Sequence, residues 1–264
     1  MLHHSLREWL DDRAAELDRS SELSHALLLK LAQANLFRIG IAPALGGSGG
    51  TLLDAIDAIS AVARHSLTAA FMFWGHRTYI DILTQAPRSA LCDRILPDLL
   101  AGQLAGATGL SNAMKFLSGL EELQIGGVAD GKGGWRLSGQ LHWVTNLQTR
   151  GFQAVTVVGG GEPFIASIGS GLAGVSRSAD LALMAMQGSA TAALHFDDVA
   201  LEKDGVIHSA ARTFLPAVRP RFLGLQCGMA LGLAECILDE CRDRLSDGHV
   251  LRGEWQTLAQ RYRQ

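Results

Sequence analysis

Cysteine is scarce, with 4 in 264 residues and no C-x-x-C spacing. Three of them (Cys227, Cys236, Cys241) fall in one helix-like stretch. That pattern excludes zinc fingers and disulfide-stapled modules, and buried free thiols in a reducing compartment are expected. A dominant charge is also missing. Lys+Arg 23 against Asp+Glu 26 leave a formal net charge of -3, with no basic run, so nucleic acid has no electrostatic footprint. No apolar run reads as long enough to span a bilayer. The N-terminal "MLHHSLREWLDDRAAELDR" spreads its charges throughout, where a signal peptide would have an apolar block. Histidines at metal-ligand spacing are absent as well: His65 and His76 fall on predicted helices without partners. The expectation is a soluble cytoplasmic protein that takes no metal, no nucleic acid and no membrane.

What is present is a 48% hydrophobic chain, long enough for about two domains. As far as about Leu99, apolar residues recur at helical spacing, as in "LSHALLLKLAQANLF" and "TLLDAIDAISAVARH". From about Gln103 to Leu201 the pattern becomes strands and hairpins, as in "WRLSGQLHWVTN" and "FQAVTVVGGGEPFIASIG". From Pro220 helix returns in "RFLGLQCGMALGLAECILDECRDRL", ended by Ser246-Asp247-Gly248. Segregated runs of this kind predict an α+β chain with separate layers and argue against an alternating βα sheet. The divisions expected are an N-terminal α-helical domain over 1–102, a middle β-sandwich or barrel over 103–204, and the start of a C-terminal helical bundle over 205–264.

Two glycine runs invite a nucleotide reading. Gly159 to Gly161 lie between strand-like runs and read as a hairpin. Gly46 to Gly50 precede a helix, but no strand leads into them and no Lys-Ser/Thr follows. A turn with Thr51 as N-cap suits them better than a phosphate loop. The segment "LHWVTN" is more informative. Residues i and i+2 of a strand share a face, so Trp143 and Thr145 stand side by side and His142 faces away. An indole beside a hydroxyl suits a flat ring with a hydrogen-bonding edge, and it equally suits a sandwich core.

In order along the chain, five strings resemble the acyl-CoA dehydrogenase flavoprotein family. "IAPALGGSGGTLLDAIDAISAVARHSLTAAFMFWGH" resembles its P-x-x-x-G-G-x-G turn and the following helices, and "LAGATGLSN" its first middle-domain strand. "LSGQLHWVTNLQTRGFQAVTVV" is similar to its G-x-K-x-W-x-T-N strand, "MQGSATAALHFDDVAL" to the closing strand, and "VRPRFLGLQCGMALG" to its long C-terminal helix. The resemblance implies FAD. Trp143 would pack beside the isoalloxazine, Thr145 would bond near N5, and Ala107 and Thr108 would bring main-chain and hydroxyl groups to the pyrimidine side. It also implies an acyl-CoA substrate and a homo-oligomer, dimer or tetramer, buried through the helix from Arg219 to Leu245, where Met229, Leu231, Leu233, Cys236 and Ile237 make an apolar surface.

Several positions depart from the family pattern. Gly109 replaces its acidic residue and the Gly-Ser-Asp triplet is absent, leaving Ser111 and Asn112 as donors near the substrate. Arg244 and Gly248 match the ends of R-x-x-F-G, whose arginine reaches a neighbouring subunit's FAD pyrophosphate, but Asp247 stands where the aromatic would be. Arg219 is the arginine that opens the long helix near the substrate, and the residue before it, which carries the glutamate base in some members, is Val218. The other family position for that base falls beyond Gln264, so no base is assigned. The expectation is a shortened or divergent member. Three readings stay open: an FAD-dependent acyl-CoA dehydrogenase-type oxidoreductase, a flavin monooxygenase on the same fold, and a non-catalytic scaffold or partner subunit.

Overall fold

The computed structural model describes residues 2–246 and 248–263. Helices α1 (His4–Arg19), α2 (Ser24–Gln33), α3 (Leu52–Ala63), α4 (Leu67–Gln85) and α5 (Ala90–Leu100) form the first layer. The start of α3 follows from its sequence. Thr51 accepts from the Asp54 N–H while Asp54 takes the Thr51 N–H, a reciprocal cap that satisfies two donors the helix itself leaves orphaned. Helix α4 is the centre of the molecule, with every residue from Met72 to Leu83 buried.

The β layer holds two four-stranded sheets. One is ordered β1 (Ala105–Thr108), β4 (Phe152–Val158), β5 (Phe164–Gly169), β8 (Val206–His208); the other runs β2 (Ile125–Ala129), β3 (Trp135–Val144), β7 (Ala192–Leu201), β6 (Val175–Asp180). The β1–β4 pair is parallel and the remaining pairs are antiparallel. Gly159 to Gly161 do turn between β4 and β5. Strand β8 pairs with β5, so the β layer continues past the boundary drawn at 204. A short helix, α6 (Ser111–Leu117), interrupts the region expected to be all strand.

The C-terminal helices are α7 (Ala211–Arg244) and α8 (Arg252–Tyr262). Helix α7 begins well before Pro220, and Pro216 and Pro220 sit inside it. Each proline removes one helical N–H bond, and the burial of Ala211, Leu215, Val218 and Phe222 on that first stretch offsets the loss. Farther along, glycines seat α7 on α3: a Cβ on Gly228 would meet Ile56 O at 2.7 Å, and one on Gly232 would meet Ser60 O at 2.0 Å. Between α4 and α7, Asp81 accepts from Arg77 at 2.6 Å and from Arg221 at 2.9 and 3.0 Å.

Two expectations from composition are corrected. Of the four cysteines, which are all free, only Cys92 is buried; Cys227 and Cys241 are exposed because they fall on the outer side of α7. An 18-residue window of α7 reaches mean hydropathy 1.4, so among the described residues one helix is, by length and composition, apolar enough to cross a bilayer. Its glycines and alanines conceal this in the sequence, because they lack the long side chains that mark an apolar run.

Candidate functional site

Strand β1 is held at its outer edge by two buried side chains. His76 Nδ1 accepts the Gly106 N–H at 2.9 Å, its Nε2–H donates to Leu99 O at 2.9 Å, and Asn146 Nδ2 donates to Gly106 O at 3.0 Å. These bonds require a neutral imidazole, and burial pushes the His76 pKa down to about 4. Gly106 itself must be bare, because a Cβ there would stand 3.0 Å from Tyr79 Cβ. Asn146 adopts φ 66°, a left-handed turn that asparagine tolerates better than most residues. Asn146 and His76 are the positioning residues that sequence reasoning missed. The asparagine of "WVTN" was a visible signal, but its bond to β1 spans 40 residues.

The order of the strand decides what β1 presents. Main-chain groups alternate sides along a strand. Those of Gly106 face outward, while the Gly109 N–H donates to Val155 O of β4. By the same alternation Ala107, two residues before Gly109, turns its main-chain groups to β4; the expectation that they face a bound ring is corrected. Thr108 faces outward and forms a bridge with Thr145. Both threonines lie under α4 at Gly75, where a Cβ would be 3.2 Å from Thr145 Cγ2 and 3.7 Å from Thr108 Cγ2. The Thr108 hydroxyl is fully buried and has no hydrogen-bond partner.

Strand β3 carries an irregularity between Leu141 and Val144, where three steps on β3 match two on β7. The extra residue breaks the alternation. Leu141 and Val144 both face the core, and His142 and Trp143 both face out. His142 therefore lines the same cleft as Trp143 and does not turn away from it. Trp143 is 61% exposed and Thr145 only 5%, so of this pair the indole is open to a ligand and the threonine is buried.

The cleft beside Trp143 measures about 170 Å³ and is walled by α6, with Ser111 at its rim. Asn112 donates to Glu121 at 3.2 Å and to Glu122 O at 2.8 Å, and Lys115 donates to Glu121 at 2.6 Å. The Lys115 ammonium, helped by Asn112, holds the Glu121 carboxyl below its usual range. Arg219 is half-buried and donates to Ser118 at 3.2 Å, just past α6, and Val218 is buried. Arg244 does not join these residues. At ~1.5 Å rise per residue it lies roughly 38 Å along α7 from Arg219, 81% exposed and paired with Glu240 at 3.5 Å. Asp247 lies outside the described residues.

Among the described residues no group of three or more His, Cys, Asp or Glu could hold a metal. A larger cavity of about 830 Å³ opens elsewhere, between α5 and strand ends. In its lining Arg136 pairs with Asp198 and Arg94 with Asp204, and no predicted site residue reaches it. The Trp143 cleft is the better candidate because it gathers an exposed aromatic with Ser111 and Asn112, while the buried Thr108 hydroxyl, which has an unmet bond, lies behind Gly109 of its lining. That donor set fits a flavin: an indole for the ring face, and Thr108 and Thr145 for a polar edge.

Comparison with known proteins bears on this arrangement. The family described as "Acyl-CoA dehydrogenase, N-terminal domain" matches residues 1–103. Mitochondrial isovaleryl-CoA dehydrogenase of Pongo abelii is 26% identical over 250 residues, covering 89% of this chain. The chain spans 58% of that relative's length. Among solved structures, a probable acyl-CoA dehydrogenase from Mycobacterium abscessus superposes with a TM-score of 0.79 at 22% identity, covering 98% of this chain and 75% of that one. KijD3, solved with FMN and dTDP-3-amino-2,3,6-trideoxy-4-keto-3-methyl-D-glucose, superposes with a TM-score of 0.77 at 20% identity, covering 98% and 67%. Residues 1–103 thus match the acyl-CoA dehydrogenase N-terminal domain, and the chain as a whole shares the fold of the acyl-CoA dehydrogenase structure on which it superposes.

Proposed function

We propose that this chain is a FAD-dependent oxidoreductase of the acyl-CoA dehydrogenase type, acting on the CH–CH group of an acyl thioester. The observation that carries the reading is the outward Trp143 on the β3 irregularity, next to the buried Thr145–Thr108 pair. A bound flavin supplies a hydride acceptor. Trp143 would cover a ring face and exclude water, and the two hydroxyls would hold bonds at the ring edge. Ser111 and Arg219 would meet the substrate.

Dehydrogenation of a thioester also needs a base for the α-proton. Val218 cannot accept one, and Glu121 is stabilised as an anion by Lys115, which makes it a weak base. Val218 favours a second reading, a flavin monooxygenase on the same fold, which uses reduced flavin and oxygen and needs no carboxylate base. The flavin and amino-sugar ligand of KijD3 is in keeping with it. A cofactor-free scaffold ranks third.

Titration with FAD followed by anaerobic acyl-CoA tests the order. Bleaching by acyl-CoA supports the dehydrogenase, and reduction only by an external reductase moves the assignment to the monooxygenase. No flavin bound at all leaves the scaffold. Turnover of acyl-CoA by the unmodified chain is expected to be negligible, since general-base assistance alone contributes roughly 10²–10⁴-fold. Val218→Glu should raise it, at a cost in stability for a buried carboxylate. Ordinary turnover without that substitution would mean another group acts as base.

A further inference from the structure

The cavity of about 830 Å³ between α5 and the strand ends shares no lining residue with the Trp143 cleft, and the proposed function leaves it unused. Its size is that of a site for a small organic molecule, roughly 300–1,000 Å³. Its floor is built outward from the core. Tyr79 of α4 is fully buried, and burial pushes its phenol above the ordinary range, so the proton stays on. Among the described residues its hydrogen-bond partner is Ser167 of β5, at 2.6 Å. Ser167 has a single proton and gives it to Gln153 Oε1 of β4 at 2.9 Å. The phenol therefore donates to Ser167, and the Gln153 oxygen is held inward. What Gln153 turns to the cavity is its NH2 group, which no acceptor among the described residues takes. Gly169 leaves room for that group, since a Cβ there would stand 2.8 Å from Gln153 Nε2.

The rim decides the charge of a ligand. Arg136 is paired with Asp198, and Arg94 with Asp204 at 3.5 Å, so neither guanidinium is free for an anion. Asp197 and Glu202 add two carboxylates with no ion-pair partner among the described residues. Arg94 and Arg136 thus face Asp197, Asp198, Glu202 and Asp204, an excess of negative charge that favours a cation. The turn that delivers this pair of aspartates is fixed. Asp198 holds φ 49°, a strained value for a residue other than glycine, and the Asp197 N–H donates to Gly174 O at 3.0 Å. The described residues hold no set of three ligands for a metal. Leu91, Leu172 and Leu201 supply apolar wall, which suits a cation built on carbon.

We propose that this cavity binds an organic amine that also carries a hydroxyl or carbonyl oxygen. The ammonium sits at Asp197 and Glu202, the oxygen accepts from Gln153, and the carbon frame lies along the leucines. The site is independent of the flavin reading.

Three probes near neutral pH test it by saturation-transfer NMR and calorimetry. Glucosamine has both the ammonium and the oxygens, glucose has the oxygens without the charge, and hexylamine has the charge without the oxygens. Glucosamine should bind at millimolar concentration, several-fold more tightly than either of the others, and added salt should weaken it. Gln153→Met keeps the bulk and removes both donors. It should weaken glucosamine roughly three- to tenfold, the worth of one net hydrogen bond, and leave hexylamine unchanged. Gly169→Ala, which crowds the amide, should act in the same direction. Asp197→Asn with Glu202→Gln changes only exposed side chains and should bring glucosamine down to the affinity of glucose. Urea midpoints confirm that each variant is folded. No binding of glucosamine to the wild type, hexylamine binding as tightly as glucosamine, or full affinity in either Gln153→Met or the double rim variant overturns the proposal.

Discussion

Trp143 and Trp135 lie eight residues apart on one strand, and their surroundings assign them different work. Trp135 is half-buried and packs on Phe164 with ring centroids 4.8 Å apart, whereas Trp143 is largely open. Trp143→Ala should therefore leave stability within about 0.5 kcal/mol and lower FAD occupancy several-fold. Trp135→Ala should cost roughly 1–3 kcal/mol and spare binding in the fraction that stays folded. Equal losses of occupancy at matched folded protein, read from flavin absorbance, would make Trp143 an ordinary surface residue. His76 gives a pH signature. Its folded pKa of about 4 lies below the ordinary 6.5, so its contribution is present above 6.5 and is lost as pH falls toward 4. The ceiling is roughly 3 kcal/mol. Urea midpoints should fall across that window, and His76→Gln should flatten the decline. A wild-type midpoint constant from pH 7 to 4 would contradict a buried neutral imidazole there.

At the scale of elements, the fold depends on how closely α7 approaches α3. Gly228 and Gly232 face the carbonyls of Ile56 and Ser60 with no room for a methyl group. Alanine at either position must push the helices apart, an overpacking cost of at least about 2 kcal/mol. Gly253 in α8 has nothing within 4 Å, and alanine there should stabilise by about 0.5–1 kcal/mol. Chemical denaturation of Gly228→Ala beside Gly253→Ala makes the comparison; shifts of the same sign would show that the glycines act through helix propensity alone. The bridge from Asp81 to Arg221 joins the same two layers, α4 with α7, so strand β1, clamped by His76 of α4, and the arginine at Ser118 share one frame.

For the whole molecule, the outer face of α7 bears on assembly. Leu223, Leu231, Leu233 and Ile237 are exposed there, while Met229 has turned inward to the bundle. An apolar surface of this kind on a helix favours association. We expect a dimer or tetramer at micromolar concentration, shifted toward monomer by Leu231→Glu with Ile237→Glu. Sedimentation velocity checks it, and a clean wild-type monomer would remove the proposal. Arg244, far along α7 from the cleft, gains a role in flavin binding only if a second copy brings it there.

What the sequence determined alone was order and local chemistry. Helical spacing, then alternation, then helical spacing again is set by which side chains are apolar, and that suffices for an α+β chain in segregated layers. The Thr51–Asp54 cap and the glycine hairpin are likewise local, made of residues within a few positions of one another. Strict alternation failed where the fold inserts a residue into β3, since nothing in "LHWVTN" marks a bulge that exists only opposite β7. The start of α7 failed for a related reason: prolines argue locally for a boundary, and burial against distant elements overrode them. The clamp of His76 and Asn146 on Gly106, the inward turn of Ala107, and the bond from Thr191 to Thr145 all join residues 30 or more positions apart. Only tertiary structure could decide those, because the groups that satisfy a buried polar atom are chosen by packing and carry no local mark.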